Sequence, residues 1–324
     1  MSLSFKPPVV PASFFAIVLG LGGLGNGWRV AHRLWDLPAM IGEGILLVAV
    51  IVWAILAVCF IAKWLWARPE ALAEAAHPVQ CCFIGLAGAA TMLIAGAALP
   101  YSRGVTEILF WVGLVYTVAF AVWRTGALWQ GERDPATNTA ILYLPAVAGS
   151  FVAAAIAAAL GYSDVGQMAF GAGFFSWLAI ESVLLHRLYT VAALPVPLRP
   201  SLGVQLAPPV VGGVAYLSIT SGVPDLIAHA LLGYGCLQAL LMLRLLPWIG
   251  QQAFAASYWA FSFGVTAFGN MFLRMTERGD IGAVATLAPY MFGAVNIAMC
   301  LLILGTLRLI WRGQLLPVAA SVKT

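Results

Sequence analysis

Charge is what this sequence has least of. Only 9% of its 324 residues are Asp, Glu, Lys or Arg, against about 25% in an ordinary soluble domain, while 62% are hydrophobic and the mean hydropathy is +0.97. A water-soluble globule is excluded by that balance. The net charge of +4 contains no run of Lys or Arg, which argues against a nucleic-acid partner or an acidic one. The five cysteines, Cys59, Cys81, Cys82, Cys236 and Cys300, are odd in number, lie in or beside apolar segments and have no metal-ligand spacing, so they read as free packing residues. Histidine is scarcer still: His32, His77, His186 and His229 are far apart. The chain has no HExxH, no glycine-rich phosphate loop, no paired carboxylates and no Ser/His/Asp set. It offers no catalytic residue, cofactor site or metal site, and an enzyme is not expected. The alternating pattern of outer-membrane strands is missing as well.

What the chain does have is long apolar segments, repeated from one end to the other. A membrane-crossing helix needs about 20 mostly apolar residues, and ten such spans can be drawn at 11–30, 40–66, 79–99, 104–128, 141–161, 164–190, 204–221, 225–247, 254–275 and 282–311. The expectation is an all-α integral membrane protein forming one transmembrane domain over residues 1–324. The first apolar segment, preceded only by Lys6, reads as a retained span rather than a signal peptide. Short turns such as Pro100-Tyr101-Ser102-Arg103 and Ser221-Gly222-Val223-Pro224 join consecutive spans, which makes them antiparallel neighbours and the whole chain five helical hairpins in series. When the loops are assigned alternately to two sides, Arg29, Arg33, Arg103, Arg274 and Arg278 fall on one side. The other eleven of the sixteen basic residues, Lys6 and Lys323 among them, fall on the side of the termini. The positive-inside rule then puts both termini in the cytoplasm.

Alternate spans differ in side-chain size. The first has small residues at Ser13, Ala16, Gly20, Gly23 and Gly27, and the third at Gly85, Ala89 and Gly96. In the fifth, residues 146–160 include ten Ala, Gly or Ser, Ser150 among them; residues 45–59 of the second include three. The seventh carries Pro208, Pro209, Gly212 and Gly213. In the ninth, a helical projection sets Phe254, Phe261, Val265, Phe268 and Phe272 on one stripe. Phe263 stands nearly opposite, among Ala256, Ala260, Ala267 and Asn270. With odd spans inside and even spans outside, these small faces either close the centre tightly or surround a central pore, and Pro and Gly at mid-membrane depth favour the pore. Glu181 is the clearest intramembrane acid, expected to form a structural ion pair with a basic residue of another span or to couple protons. Fixed charge rings are missing. The cytoplasmic excess of Lys and Arg, with partial positive charge at broken helix N-termini, favours anions over cations.

At Phe15-Ala16-Ile17-Val18-Leu19-Gly20, Ala90-Thr91-Met92-Leu93, Leu142-Tyr143-Leu144-Pro145, Gln205-Leu206-Ala207-Pro208 and Trp259-Ala260-Phe261-Ser262-Phe263-Gly264, the chain resembles the tellurite-resistance and dicarboxylate transporter family. That family includes the bacterial TehA proteins and the plant guard-cell slow anion channels. The resemblance implies a bacterial inner-membrane homotrimer in the lipid bilayer, each protomer with its own pore of ten helices, odd helices inside, closed by a phenylalanine of the ninth. Phe263 matches that gate and Gly20 a pore-side glycine. The candidate pore lining is Ser13, Ala16, Gly20, Gly23, Gly85, Ala89, Ser150, Gly212, Ala256, Ala260 and Ala267. Ala16 stands where relatives often have Gly, and Ser182 follows Glu181 where bacterial relatives often have Pro. The cytoplasmic phosphorylation tails of the plant channels are expected to have no room here, and kinase control is not carried over from the resemblance. The expected activity is an anion-selective channel or channel-like transporter for small inorganic or organic anions, the alternative being a proton-coupled exporter of tellurite, sulfite or C4-dicarboxylate.

Overall fold

A computed structural model describes residues 9–131 and 133–316; Lys6 and Lys323 lie outside them. Every regular element among the described residues is helical. Eleven α-helices follow one another: α1 (Phe15–Trp35), α2 (Ala39–Trp66), α3 (Arg68–Ala76), α4 (Leu86–Ala98), α5 (Arg103–Trp129), α6 (Gly149–Leu160), α7 (Ser163–Thr190), α8 (Ala207–Ile219), α9 (Leu226–Ile249), α10 (Ser262–Glu277) and α11 (Ala283–Trp311). Nine helical segments of the described residues are long and apolar enough to cross a membrane. They match nine of the ten spans read from the sequence to within a few residues, except that the seventh begins at Val196 and the first runs on to Trp35. The remaining segment, Ala256–Glu277, is helical but more polar, carrying Asn270, Arg274 and Glu277.

Two sets of helices emerge. The pairs α1/α2, α4/α5, α6/α7, α8/α9 and α10/α11 pack as neighbours in sequence, whereas α1, α4, α6, α8 and α10 also touch one another in a closed circuit. Burial follows the same division. The most apolar stretch is 78% buried in the segments ending in α1, α4 and α8 and 83% in the one ending in α6, but between 17% and 33% in α2, α5, α7, α9 and α11. Of the sixteen residues of α10, ten are buried. The exposed surface of the outer set is a lipid-facing coat of residues such as Leu47, Ile55, Val115, Phe175, Leu240 and Leu304.

Close approach in the inner set relies on missing side chains. A Cβ built on Gly20, Gly23 or Gly27 of α1 would lie 2.5 Å from Ser262 Cβ, 2.2 Å from Thr266 Oγ1 and 2.8 Å from Asn270 Oδ1, so only glycine admits α10 at this distance. Two side-chain hydrogen bonds lock the seam, Ser262 Oγ to Ala16 O at 3.0 Å and Asn270 Nδ2 to Gly23 O at 2.8 Å.

All five inner helices are preceded by tighter helical turns. The 3-10 segments are Ala12–Phe14, Gln80–Gly85, Ala140–Tyr143, Val196–Leu206 and Ala256–Phe261, with a π turn at Leu144–Ala148 after the third. Proline contributes to this: Pro145, Pro197 and Pro200 lie within these turns and remove backbone donors. Irregular backbone at membrane depth persists where protein or a cavity covers it. At the other end, the hairpin turns are capped conventionally, by Ser102 Oγ on Val105 N–H, Asp225 on Ile227 and Ala228 N–H, and Gly161 at φ +85° closing α6. α7 runs unbroken through Ser182, whose hydroxyl bonds Ala179 O at 2.9 Å.

Candidate functional site

Three cavities lie in series along the inner set. The first, about 600 Å³, opens where both described ends of the chain meet: Val9, Ser13, Gln80, Ile141, Ser201 and Ala256 line it, one or more from each of the five 3-10 segments or the residues leading into them. Here the N-terminal ends of all five inner segments converge. The second cavity is a waist of about 30 Å³, walled by Ala16, Leu19, Leu86, Tyr143, Val147, Phe151, Trp259, Ala260 and Phe263 among others. The third, about 330 Å³, lies beyond it among the last turns of the same helices, with Gly23, Asn26, Gly96, Ala267, Asn270 and Arg274 in its wall.

Phe263 stands between the second and third cavities. With Phe151 and Val211 it lines both, while Ala16 and Ala260 are shared by the first and second. The waist, at about 30 Å³, is about a tenth the size of the cavity beyond it, and its wall is almost wholly apolar. An ion would have to shed its hydration shell there with nothing to replace it. Phe261 sits elsewhere. Its ring packs at the Cβ position of Gly203, 2.5 Å away, and stacks on Tyr258 at 6.4 Å. Phe254 precedes the helix that begins at Ala256 and covers Gly305 of α11, so the stripe drawn from Phe254 to Phe272 on one continuous helix is not formed at its beginning.

Of the small residues singled out from the sequence, Ser13, Ala16 and Ala256 face the first cavity, Ala16 and Ala260 the waist, and Gly23 and Ala267 the third. Five others are placed in helix contacts. Gly20 meets Ser262, Gly85 meets Phe120 of α5, and Gly212 meets the Phe151 ring. Ala89 is fully buried within α4, and Ser150 turns its hydroxyl back to Ala146 O at 2.7 Å and abuts Gly173 of α7. For these the seam wins over the cavity wall, because a residue without a side chain serves both purposes and only the neighbour decides.

Glu181 forms no ion pair within the described residues. Its Oε1 accepts from Gln205 Nε2 at 2.9 Å and Tyr234 Oη at 2.6 Å, and its Oε2 from Trp177 Nε1 at 2.9 Å and from the Tyr143 hydroxyl. Four donors fill the four lone-pair sites of the carboxylate, so the expected basic partner has no place to bind. Gln205 also reaches Tyr143 Oη at 3.0 Å, and Gln238 reaches Tyr234 Oη at 2.8 Å. The network thus ties the inner segments at Tyr143 and Gln205 to α7 and α9, and spends the Tyr143 hydroxyl so that its ring is what the waist presents.

Charge lies at the two wider cavities. In the first, Lys63 is 1% exposed; it donates to Val10 O at 2.9 Å and pairs with Glu74, which also accepts from Ala12 N–H at 2.8 Å. Glu70 and His77 complete that mouth. α3, which carries Glu70 and Glu74, lies between the second and third spans drawn from the sequence, and Pro69 near its start and Glu70 in its first turn are helix-start signals. In the third cavity the one charged wall residue is Arg274. It falls inside the span read as 254–275, where an ionisable side chain is itself a signal. Within the described residues, no three His, Cys, Asp or Glu side chains lie close enough to hold a metal ion.

Residues 9–307 match the family described as voltage-dependent anion channel. The chain is similar to the tellurite resistance protein TehA homolog of Haemophilus influenzae, 34% identical over 310 residues covering 95% of this chain and 93% of that one. It is 22% identical over 284 residues to an uncharacterized transporter of Methanocaldococcus jannaschii, covering 79% and 80%. Similarity extends, at 21% identity over 322 residues, to the guard cell S-type anion channel of Arabidopsis thaliana, covering 92% of this chain and 55% of that one.

Proposed function

Because the chain belongs to the voltage-dependent anion channel family, we propose that it is an anion-selective channel of the bacterial inner membrane whose pore follows the three cavities and is shut by Phe263. One observation carries this reading: the Phe263 ring lines both the waist and the cavity beyond it. Removing the ring would join a space of about 30 Å³ to one of about 330 Å³. Opening in the native protein needs only a rotamer change or a small shift of α10 against α1, costing on the order of 1 kcal/mol for the rotamer itself. Selectivity for anions is supported by the convergence of five helix N-termini on the first cavity and by Arg274, the one charged residue in the wall of the third; Lys63 adds nothing to it, being paired with Glu74.

The excess of Lys and Arg on the side of the termini supports a cytoplasmic placement of that side. The apolar coat of the outer helices supports both lipid contact and assembly, which we take to be the homotrimer of the resembled family. A proton-coupled exporter of tellurite, sulfite or C4-dicarboxylate is the second reading; the name of the Haemophilus relative, a tellurite resistance protein, bears on tellurite alone. Glu181 argues against it, being outside the walls of all three cavities and saturated with donors.

Planar-bilayer recording of the purified protein tests the proposal. Phe263→Ala is expected to pass a sustained chloride or nitrate current that the parent does not. Parent-level current in a folded, inserted Phe263→Ala protein overturns the gate, and flux that follows an imposed pH gradient and disappears in Glu181→Gln supports the exporter instead.

A further inference from the structure

The wall of the third cavity contains a cation that no carboxylate among the described residues bonds. Arg274, in the last turn of α10, points its guanidinium into a space walled by Leu93, Phe151, Val152, Val211 and Val214. Its recorded contact is Nη1 to Ser218 Oγ at 3.2 Å. The serine hydroxyl donates to Val214 O at 2.8 Å and receives the arginine on a lone pair. A guanidinium has five N–H donors, and within the described residues the serine is the one protein acceptor that they meet. No Asp or Glu lines this cavity. Glu277, one turn further along α10, is near enough for its charge to act on Arg274, but both its oxygens are bonded by Arg33, Nε at 2.5 Å and Nη2 at 3.3 Å, and Arg33 balances that charge. At depth in an apolar wall a lone fixed charge is costly unless something neutralises it.

We propose that the third cavity is an anion-binding subsite in which a small monovalent inorganic anion, chloride or nitrate, is the counter-ion of Arg274. This rests on the reading of the cavities as an anion pathway and adds to it a named resting place beyond Phe263. The volume of about 330 Å³ leaves room for the ion and several waters at about 30 Å³ each. Nitrate is planar and presents two oxygens to the flat fork of a guanidinium. A single cation, with Asn26, Ser218 and Asn270 as its polar company in the wall, holds such an ion weakly. Weak binding is what a conducting path requires, since an ion held firmly would block it.

Equilibrium binding tests this without any current. Chloride-35 line broadening by the purified full-length protein is measured with and without nitrate as competitor. The parent is expected to show a nitrate-competable component, and Arg274→Lys to keep it. Arg274→Gln is expected to reduce it about tenfold or more, the scale of a lost charge-assisted hydrogen bond. Ser218→Asp leaves the guanidinium in place and supplies an internal counter-ion at the same contact. It is expected to abolish the component too, and it decides the matter if the Gln variant does not fold. Persistence of the competable broadening in either folded variant, or its absence in the parent, overturns the subsite. The two readings separate cleanly. If Phe263→Ala carries no current while both variants lose the broadening, the subsite stands and the gate falls; if current flows and the broadening is insensitive to both substitutions, the subsite falls alone.

Discussion

The inner and outer helices overlap in hydropathy but meet different surroundings. Ser163–Thr190, which faces outward, is scarcely more apolar than the buried Val196–Ile219, and outward-facing Arg103–Trp129 is no more apolar than buried Gln80–Ala98. Hydropathy marks the extremes, with outer α2 the most apolar and inner α1 the least of the nine segments, but it does not sort the helices between them. In water it would, because burial of apolar surface drives folding; in a bilayer, lipid tails are as apolar as the core, and what remains is how closely helices can pack. Side-chain size does the sorting. Inner helices present Gly, Ala, Ser and Thr to one another, and outer helices present Leu, Ile, Val and Phe to the lipid. The comparison also separates the two ends of the inner set. Tight 3-10 turns at the ends nearest the termini surround the large cavity, and regular α-helix follows beyond them. Long 3-10 runs are uncommon, and the eleven residues Val196–Leu206 form one of them.

The largest expected effect contrasts two rings of one segment. Phe263→Ala should raise anion conductance at least about tenfold, which corresponds to roughly 1.4 kcal/mol off the barrier. Phe261→Ala, which empties the space over Gly203, should leave conductance near the parent level and lower stability by about 3–5 kcal/mol if its site cannot collapse. Single-channel recording paired with thermal unfolding in detergent reads both numbers. An equal conductance gain for both would erase the distinction between cavity-facing and packing aromatic.

Next comes a pair of glycines. In the inner set, Gly23→Ala drives a methyl to within 2.2 Å of Thr266 Oγ1, an overpacking expected to cost about 1–3 kcal/mol. On the outer helix α7, a Cβ on Gly171 meets nothing within 4 Å, and Gly171→Ala should be stabilising by about 0.5–1 kcal/mol through helix propensity. Melting temperatures of the two variants should move in opposite directions. Movement in the same direction would mean that size does not distinguish the sets.

Much of this division is legible in the sequence, and the reasons for the exceptions are physical. Span ends are legible because Pro, Gly and Ser interrupt apolar runs at the membrane surface. The placement of Phe263 opposite Phe261 follows from period alone and survives the change to 3-10 geometry, since Phe263 lies in the α-helical part and Phe261 before it. Gly20 and Ala16 are one turn apart on the same stripe, yet one packs on Ser262 and the other faces two cavities; only the position of α10 separates them. Glu181 was recognisable as an intramembrane acid, but three of its four donors, Tyr143, Gln205 and Tyr234, come from other segments, up to 53 positions away. No local pattern could name them.

That network gives the third prediction, linking the two sets. Glu181→Gln replaces one of two acceptor oxygens with a donor facing donors, and should cost about 1–3 kcal/mol through unsatisfied buried groups. Tyr143→Phe removes one donor and should cost about 1.5–3 kcal/mol, the range for hydrogen bonds to charged groups. In a Phe263→Ala background neither should make the current depend on pH. A pH-dependent current lost in Glu181→Gln would turn this structural tie into a coupling device.

The smallest effect belongs to the outer set, at the N-terminus of α9. Asp225 accepts from the Tyr216 hydroxyl of α8 and from Ile227 and Ala228 N–H, and these contacts, the tyrosine foremost, hold its carboxyl below the ordinary carboxylate value. A carboxylate with a lowered folded-state pKa adds stability above its unfolded pKa, about 3.9, and that contribution is lost as pH falls through the folded value. Asp225→Asn keeps a capping acceptor of similar quality and removes the charge. Its melting temperature should lie slightly below the parent's at neutral pH, and the gap should shrink as pH drops below about 4. Because the cap is exposed and spans an inner and an outer helix without touching a cavity, conductance in the Phe263→Ala background should be indifferent to it. A gap that widens in acid would reverse the sign of the linkage and detach Asp225 from the α8/α9 contact.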